Sequence, residues 1–338
     1  MTNQLVDTLI AACLDNGVND VCIGAGSRST ALLQALAKYE VNIHPFFDER
    51  AVGFLALGIT KKTNNPVMVI TTSGSAVSNL YPAITEATYS HHNLIICTAD
   101  RPIRLQGTSS NQTINQNQIF NNILAEIQLP EDTDNKNEFI NELSQALNKQ
   151  HHVGGVIHIN CPLEDPVTHP YKPSEIAPKV PFLSISEEGP KDTSLPQSII
   201  DQIVAAQSGL LCIGQTEPFV NASELIAIIN HFNWPTIVDT TQHLAKSLPN
   251  VVQSADDAAV ALEQHNPDVI VYIGGPWVSK KMAHYIETNA NKVIHLTQSF
   301  SPVAPMPHKS ICTTFNELLT VKLVSSHCLD IEDLNKAT

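Results

Sequence analysis

The sequence predicts an α/β protein made of two doubly wound parallel-sheet domains. Three observations carry that prediction. Short apolar runs ending in small-residue turns alternate with stretches of helical period. This alternation occurs twice, on either side of a proline-rich stretch that has no clear period. The length of 338 residues also exceeds what one ordinary core accommodates.

The first domain is taken as residues 1–165. Asn19 to Ile23 reads as a strand, followed by the turn Gly24-Ala25-Gly26-Ser27-Arg28-Ser29-Thr30 and a helix from Ala31 to Tyr39 with Leu32, Leu33 and Leu36 on one side. The apolar run Val41 to Phe47 is the next strand, and it passes through Asp48-Glu49-Arg50 into a helical pattern reaching Gly58. Val67 to Thr71 is a third strand, Thr72-Ser73-Gly74-Ser75 a second small-residue turn, and Ala76 to Tyr89 a helix. Leu94 to Ala99 follows as a strand running into Asp100-Arg101-Pro102. Asn111 to Gln118, rich in amides, reads as a loop, and taken alone as a solvated one. A helix around Phe139 to Leu147 leads to the last strand, Gly155 to Asn160.

Residues 166–195 form the expected interdomain linker, and 196–325 the second domain. Its strands are Leu210 to Ile213, Thr236 to Val238, Val269 to Ile273 and Val293 to Leu296, with helices at Ala222 to Phe232 and Phe315 to Val324. Residues 326–338 read as a polar tail.

Composition excludes several classes of function. Hydrophobic residues make up 43% and charged residues 15%, enough apolar material for burial. No apolar run approaches the roughly 20 residues of a membrane span. Met1 to Ile10 lacks the basic start and apolar middle of a signal peptide, so a cytoplasmic protein is expected. A net charge of -14 opposes a nucleic-acid partner, because phosphate binding needs a basic face. The seven cysteines are scattered without a Cys-x-x-Cys pair and read as reduced core residues. No metal site is expected. His91-His92 and His151-His152 read as surface pairs lacking a third donor.

In such sheets ligands lie beyond the carboxyl ends of the strands. Three of those ends carry Ser27-Arg28, Asp48-Glu49 and Asp100-Arg101. The chain's four arginines, Arg28, Arg50, Arg101 and Arg104, all fall in its first third, and arginine is the side chain for two-pronged gripping of carboxylate or phosphate. Asp48 or Glu49 also reads as a plain helix cap, since acids suit helix N-termini. Lys280 and Lys281 read either as a solvated helix start or as two ammonium groups facing the interdomain cleft. Gly24-x-Gly26-x-x-Ser29, with Asp48 about 20 residues on, nearly spells a dinucleotide fingerprint, which keeps a nucleotide-binding dehydrogenase as one alternative. Against it, Ser replaces the third Gly, and a charged Arg28 inside the turn has no role on a pyrophosphate held by backbone amides.

A wider set of motifs is accounted for by a resemblance. Gly26-Ser27-Arg28-Ser29-Thr30, Phe47-Asp48-Glu49-Arg50, Thr72-Ser73-Gly74-Ser75, Asn79-Leu80-Tyr81-Pro82-Ala83, Thr98-Ala99-Asp100-Arg101-Pro102, Asn111-Gln112 and His158-Ile159-Asn160-Cys161-Pro162 occur in this order. Together they resemble the N-terminal part of the SEPHCHC synthase family of thiamine-diphosphate (ThDP) enzymes, which acts in menaquinone biosynthesis. The likeness covers residues 1 to about 165 and continues more loosely through 338.

The resemblance implies a ThDP pyrimidine-binding domain followed by a Rossmann-like middle domain. It makes Glu49 the glutamate that bonds the aminopyrimidine and favours its imino tautomer, with Ser73 and Gly74 also against the cofactor. Shielding of Glu49 by Phe46 and Phe47 is expected to suit it to proton sharing. The family decarboxylates 2-oxoglutarate and adds the succinyl unit to isochorismate, so two dicarboxylates must be held. By motif match the residues implied are Ser27, Arg28, Arg101, Asn111 and Gln112, with Lys280 and Lys281 from the middle domain. A homodimer is implied as well.

This chain departs from the family at Ala25, usually Pro, and at Asn115, commonly Arg. It also contains no Gly-Asp-Gly followed by paired Asn, the segment that binds Mg²⁺ and the diphosphate. The expectation is of an incomplete or split synthase, inactive unless a separate chain supplies that domain. A non-catalytic remnant that binds a dicarboxylate is the other alternative.

Overall fold

The computed structural model describes residues 2–165, 194–216, 220–240, 248, 250–252, 254–262, 266–297 and 310–323. The chain divides into two compact units, Met1–Glu187 and Glu188–Thr338. Of the expected linker at 166–195, residues 166–193 lie outside the described residues, as does the tail at 326–338. Leu195, at the linker's end, is buried in the core of the second unit.

In the first unit the order is α1 (Thr2–Asp15), β1 (Asp20–Gly24), α2 (Thr30–Leu36), β2 (Asn42–Pro45), α3 (Glu49–Thr63), β3 (Val67–Thr71), α4 (Ser75–Asn79), α5 (Tyr81–Tyr89), β4 (Leu94–Asp100), β5 (Ala125–Gln128), α6 (Lys136–Val153) and β6 (Val156–Pro162). The strands form one sheet in the order β2-β1-β3-β4-β6-β5, and every pairing is parallel. All residues of β3, β4 and β6 are buried, as expected of strands covered on both faces. Alternate strand residues feed two cores. Val21, Ile23, Met68, Ile70, Ile95 and Cys97 pack with α1, α2 and α6, while Cys22, Val67, Val69, Leu94 and Ile96 pack with α3 and α5.

The second unit has α7 (Gln197–Ala205), β7 (Gly209–Ile213), α8 (Ala222–Phe232), β8 (Thr236–Val238), β9 (Val251–Val252), α9 (Ala255–Leu262), β10 (Val269–Ile273), α10 (Lys280–Thr288), β11 (Val293–Thr297) and β12 (Ile311–Cys312). Its sheet runs β12-β11-β10-β7-β8-β9, again parallel in every pairing. One core gathers α7 and α8 against the sheet, and a second gathers α9 and α10. No helix among the described residues is long and apolar enough to cross a membrane.

Several sequence expectations are corrected. The single helix anticipated over 76–89 is two helices that meet at Leu80, because Pro82 in the first turn of α5 has no N–H to continue the ladder. The closing helix anticipated from Phe315 is a 3-10 turn over Phe315–Thr320. His92 is not a surface residue. It is 9% exposed, because the backbone after α5 folds back to bond Ala87. α1 and β5 were not anticipated. The cysteines Cys13, Cys22, Cys97, Cys161 and Cys212 are buried free thiols.

Candidate functional site

The chain leaves β1 for β2 on one side and returns to β3 on the other, so a crevice opens between the carboxyl ends of β1 and β3. Glu49, the first residue of α3, stands at this crevice. A β-carbon at Gly24 would lie 2.9 Å from Glu49 Cγ and 3.4 Å from Thr71 Cγ2, so the bare backbone of Gly24 makes room for the acid. The capping question has a definite answer. Asp48 is the cap, its carboxylate accepting from the Arg50 and Ala51 backbone N–H groups at 2.9 and 3.2 Å. The fingerprint reading would have given Asp48 to a ribose, but its carboxylate is engaged in the cap. Glu49 is half-buried, and its carboxylate has no hydrogen-bond partner among the described residues. Nearby Thr71 Oγ1 is buried and likewise unpartnered among the described residues.

One expectation about Glu49 is overturned. Phe46 and Phe47 are 48% and 106% exposed and do not shield it. The reason is that β2 is a four-residue edge strand, paired among the described residues only to β1, and its residues are largely open to solvent.

The residues after β3 and β4 are tied into one cluster. Ser73 Oγ donates to the Gln112 carbonyl at 3.1 Å, and Gln112 Nε2 returns a bond to the Ser73 carbonyl at 2.8 Å. Arg101 donates through Nη1 to Ser73 Oγ at 3.1 Å and through Nε and Nη2 to the Asn111 carbonyl at 3.1 and 2.6 Å. Gly74, at φ +79°, faces Gln112 so closely that a β-carbon would meet its Cγ at 2.8 Å. The Gly74 N–H donates to Gln116 Oε1 at 3.0 Å, and Gln116 Nε2 donates to the Ala99 carbonyl and Asn160 Oδ1 at 3.1 and 2.9 Å. The 111–118 segment is therefore not simply solvated. Asn111 and Gln112 are exposed, but Gln116 is 1% exposed and pins the loop to β4 and β6.

Behind it lies a buried polar layer that the sequence reading missed. Asp100, 1% exposed, accepts from the Arg101 N–H at 2.7 Å, Asn160 Nδ2 at 2.9 Å and Gln106 Nε2 at 3.0 Å. Burial nevertheless pushes its pKa up, against the lowering effect of those bonds. His158 Nε2 lies 2.8 Å from Thr98 Oγ1, and its Nδ1 lies 3.7 Å from Glu126 Oε1, holding that carboxyl below its usual range. A signal was available: His158 and Asn160 interrupt an otherwise apolar strand, and polar groups buried in a sheet must find partners.

Of the four arginines, Arg28 and Arg101 are buried, at 7% and 9% exposure. Arg28 sits in the turn after β1, with Ser27 exposed beside it. Its Nη1 donates to the Leu163 carbonyl at 3.0 Å, and its Nη2 pairs with Asp165. Burial, followed by the charge of Arg101, pulls the Arg28 pKa down, while Asp165 and Glu164 oppose that shift. The two guanidinium groups are thus close enough to feel each other. Lys280 and Lys281 open α10 in the second unit, capped by Ser279 Oγ, which accepts from the Met282 N–H at 3.1 Å. Lys281 lines a cavity of about 310 Å³ with Val260, Asn266, His284 and Tyr285.

The chain is similar to known proteins in sequence and in fold. Residues 3–119 match the thiamine pyrophosphate enzyme N-terminal TPP binding domain. A 2-succinyl-5-enolpyruvyl-6-hydroxy-3-cyclohexene-1-carboxylate synthase (SEPHCHC synthase) of Vibrio atlanticus is 33% identical over 317 residues, covering 90% of this chain and 54% of that protein. The synthase of Aliivibrio fischeri is 36% identical over 258 residues, covering 71% of this chain and 44% of that protein. The chain thus spans about half the length of the curated relatives it matches. A solved ThDP-dependent 4-hydroxybenzoylformate decarboxylase of Rhodococcus jostii superposes with a TM-score of 0.69 at 16% identity, over 98% of this chain and 64% of that one, and shares the fold.

The site fits the pyrimidine end of such a cofactor, with an uncommitted carboxylate, an unpartnered hydroxyl and a bare glycine at one crevice. The chain is similar to the SEPHCHC synthases along about half their length, and its residues 3–119 match the N-terminal TPP binding domain of the thiamine pyrophosphate enzymes.

Proposed function

We propose that this chain provides the pyrimidine-binding domain (1–165) and Rossmann-like middle domain (196–325) of a ThDP-dependent SEPHCHC synthase, a transferase of menaquinone biosynthesis. The reaction decarboxylates 2-oxoglutarate, releases carbon dioxide and joins the succinyl unit to isochorismate. Bound ThDP would supply the electron sink for that decarboxylation, with Mg²⁺ holding its diphosphate through residues outside these 338. The observation that carries the reading is Glu49. Because Asp48 caps α3, the neighbouring carboxylate stays free at the crevice, where it would face a ring nitrogen of the bound cofactor and share a hydrogen bond with it.

Ser73 and Gly74 shape the cofactor's edge of the site. Arg101 is largely spent on the Asn111 carbonyl and Ser73, and Gln112 on the Ser73 carbonyl, so their part is to fix the Asn111-Gln112 segment over that turn. Arg28 and Ser27 receive a substrate carboxylate. Ile43, Phe46, Phe47 and Phe54, all close to half exposed or more, are the apolar surface on which a second copy associates. A cytoplasmic location follows from the pathway.

The test is reconstitution in trans with the C-terminal domain of a SEPHCHC synthase, ThDP and Mg²⁺, following consumption of 2-oxoglutarate and isochorismate. Glu49→Gln is expected to lower turnover by about 10²-fold or more while the thermal unfolding midpoint stays put. Retained turnover in that variant removes Glu49 from its role. Isochorismate binding without turnover in the reconstituted wild type would favour the non-catalytic remnant.

A further inference from the structure

We infer that Asp165 is an internal stand-in for a ligand carboxylate, occupying the place on Arg28 that an incoming carboxylate takes and so setting the affinity of the site. The inference rests on the proposed reading of Arg28 as a carboxylate receiver.

The two partners of Arg28 differ in character. The bond from Nη1 to the Leu163 carbonyl, 3.0 Å, is buried. The Asp165 side chain on Nη2 is 82% exposed, whereas Arg28 itself is 7% exposed. A guanidinium taken out of water needs an anionic or carbonyl partner at each arm, and here burial and the Arg101 charge both disfavour its charged form. At Nη2 a carboxylate, that of Asp165, meets this need. A partner that remains mostly in water is held weakly and leaves at little cost, and the planar fork accepts any carboxylate that reaches it.

The surrounding segment is anchored without Asp165. Leu163 donates its N–H to the Asp100 carbonyl at 3.0 Å, and Glu164 pairs with both arms of Arg104 at 2.6 and 3.0 Å. Asp165 can thus yield its place while Leu163 and Glu164 keep theirs.

The experiment is calorimetric titration of isochorismate into the full 338-residue chain. Asp165→Asn is expected to bind about two- to fivefold more tightly than wild type, the range that an exposed ion pair permits. Glu164→Gln removes the same charge one residue away, leaves the Arg28 partner in place and is expected to bind as wild type does. Arg28→Ala, checked for folding by circular dichroism, is expected to lose binding, and Arg28→Lys to bind weakly. Should Asp165→Asn match wild type while Arg28→Ala loses binding, the stand-in role is overturned and the reading of Arg28 survives. An equal gain in Glu164→Gln also overturns it, as a general charge effect. If wild type does not bind, or binds no better than Arg28→Ala, the reading of Arg28 falls and the inference falls with it.

Discussion

Glu49 leans across the end of β1 on the bare backbone of Gly24, its Cγ only 2.9 Å from where a β-carbon at that position would sit. Gly24 has no left-handed φ, so an alanine there suffers no backbone strain and acts only by displacing the acid. Gly24→Ala is therefore expected to leave unfolding free energy within about 1 kcal/mol of wild type. Turnover of the reconstituted enzyme is expected to fall by about 10²-fold, the usual cost of a small misplacement of a reacting group. Unchanged turnover would mean that the position of Glu49 is immaterial.

Asp48 and Glu49 are adjacent acids with different work. Asp48→Ala removes the two bonds that cap α3 and is expected to cost about 1 kcal/mol in urea unfolding. Glu49→Gln is expected to cost nothing measurable in the same assay. Reversed results would return Glu49 to the cap.

Arg101 clamps the amide loop through Asn111 and Ser73. Arg101→Lys keeps the charge but cannot reproduce that fork. Loss of charge-assisted bonds worth about 1.5–3 kcal/mol should speed amide hydrogen exchange across Asn111 to Gln116 by about ten- to a hundredfold. Unaltered exchange there would show that the Gln112 and Gln116 bonds hold the loop without the Arg101 fork.

His92 gives the first unit an acid sensitivity. Burial, followed by the charge of Lys61, pulls its pKa from 6.5 to about 4, so the folded ring stays neutral where the unfolded one takes up a proton. Its contribution to stability is complete above pH 6.5 and is lost progressively as the pH falls from there towards 4. Urea midpoints of wild type are expected to decline across that window, with a shallower decline in His92→Gln. Identical slopes would assign the acid sensitivity to other groups.

Phe47 is 106% exposed and contributes nothing to the core of its own chain. Phe47→Ser is expected to leave the thermal midpoint unchanged and to shift sedimentation towards the monomer. An unaltered sedimentation profile would place the association surface elsewhere.

The sequence by itself determined the strand and turn framework. Val67–Thr71, Thr236–Val238 and Val269–Ile273 stand where the apolar patterning puts them, because strands buried on both faces must be apolar throughout, and the helix Ala222–Phe232 follows its own apolar spacing. It also singled out Glu49, Arg28 and Arg101, since charged residues at strand ends of such a sheet stand out against apolar surroundings. Only the tertiary structure decided what each one touches. Whether Asp48 or Glu49 capped α3 depended on backbone dihedrals at the junction. The exposure of Phe46 and Phe47 followed from β2 being an edge strand, a matter of strand order that no local pattern encodes. Gln116, one amide among several in its segment, became the residue that pins the loop because β4 and β6 bring Ala99 and Asn160 to it from 17 and 44 residues away. Hydrogen bonds between groups so distant in sequence are fixed by the packing of the sheet, and residue type alone does not carry them.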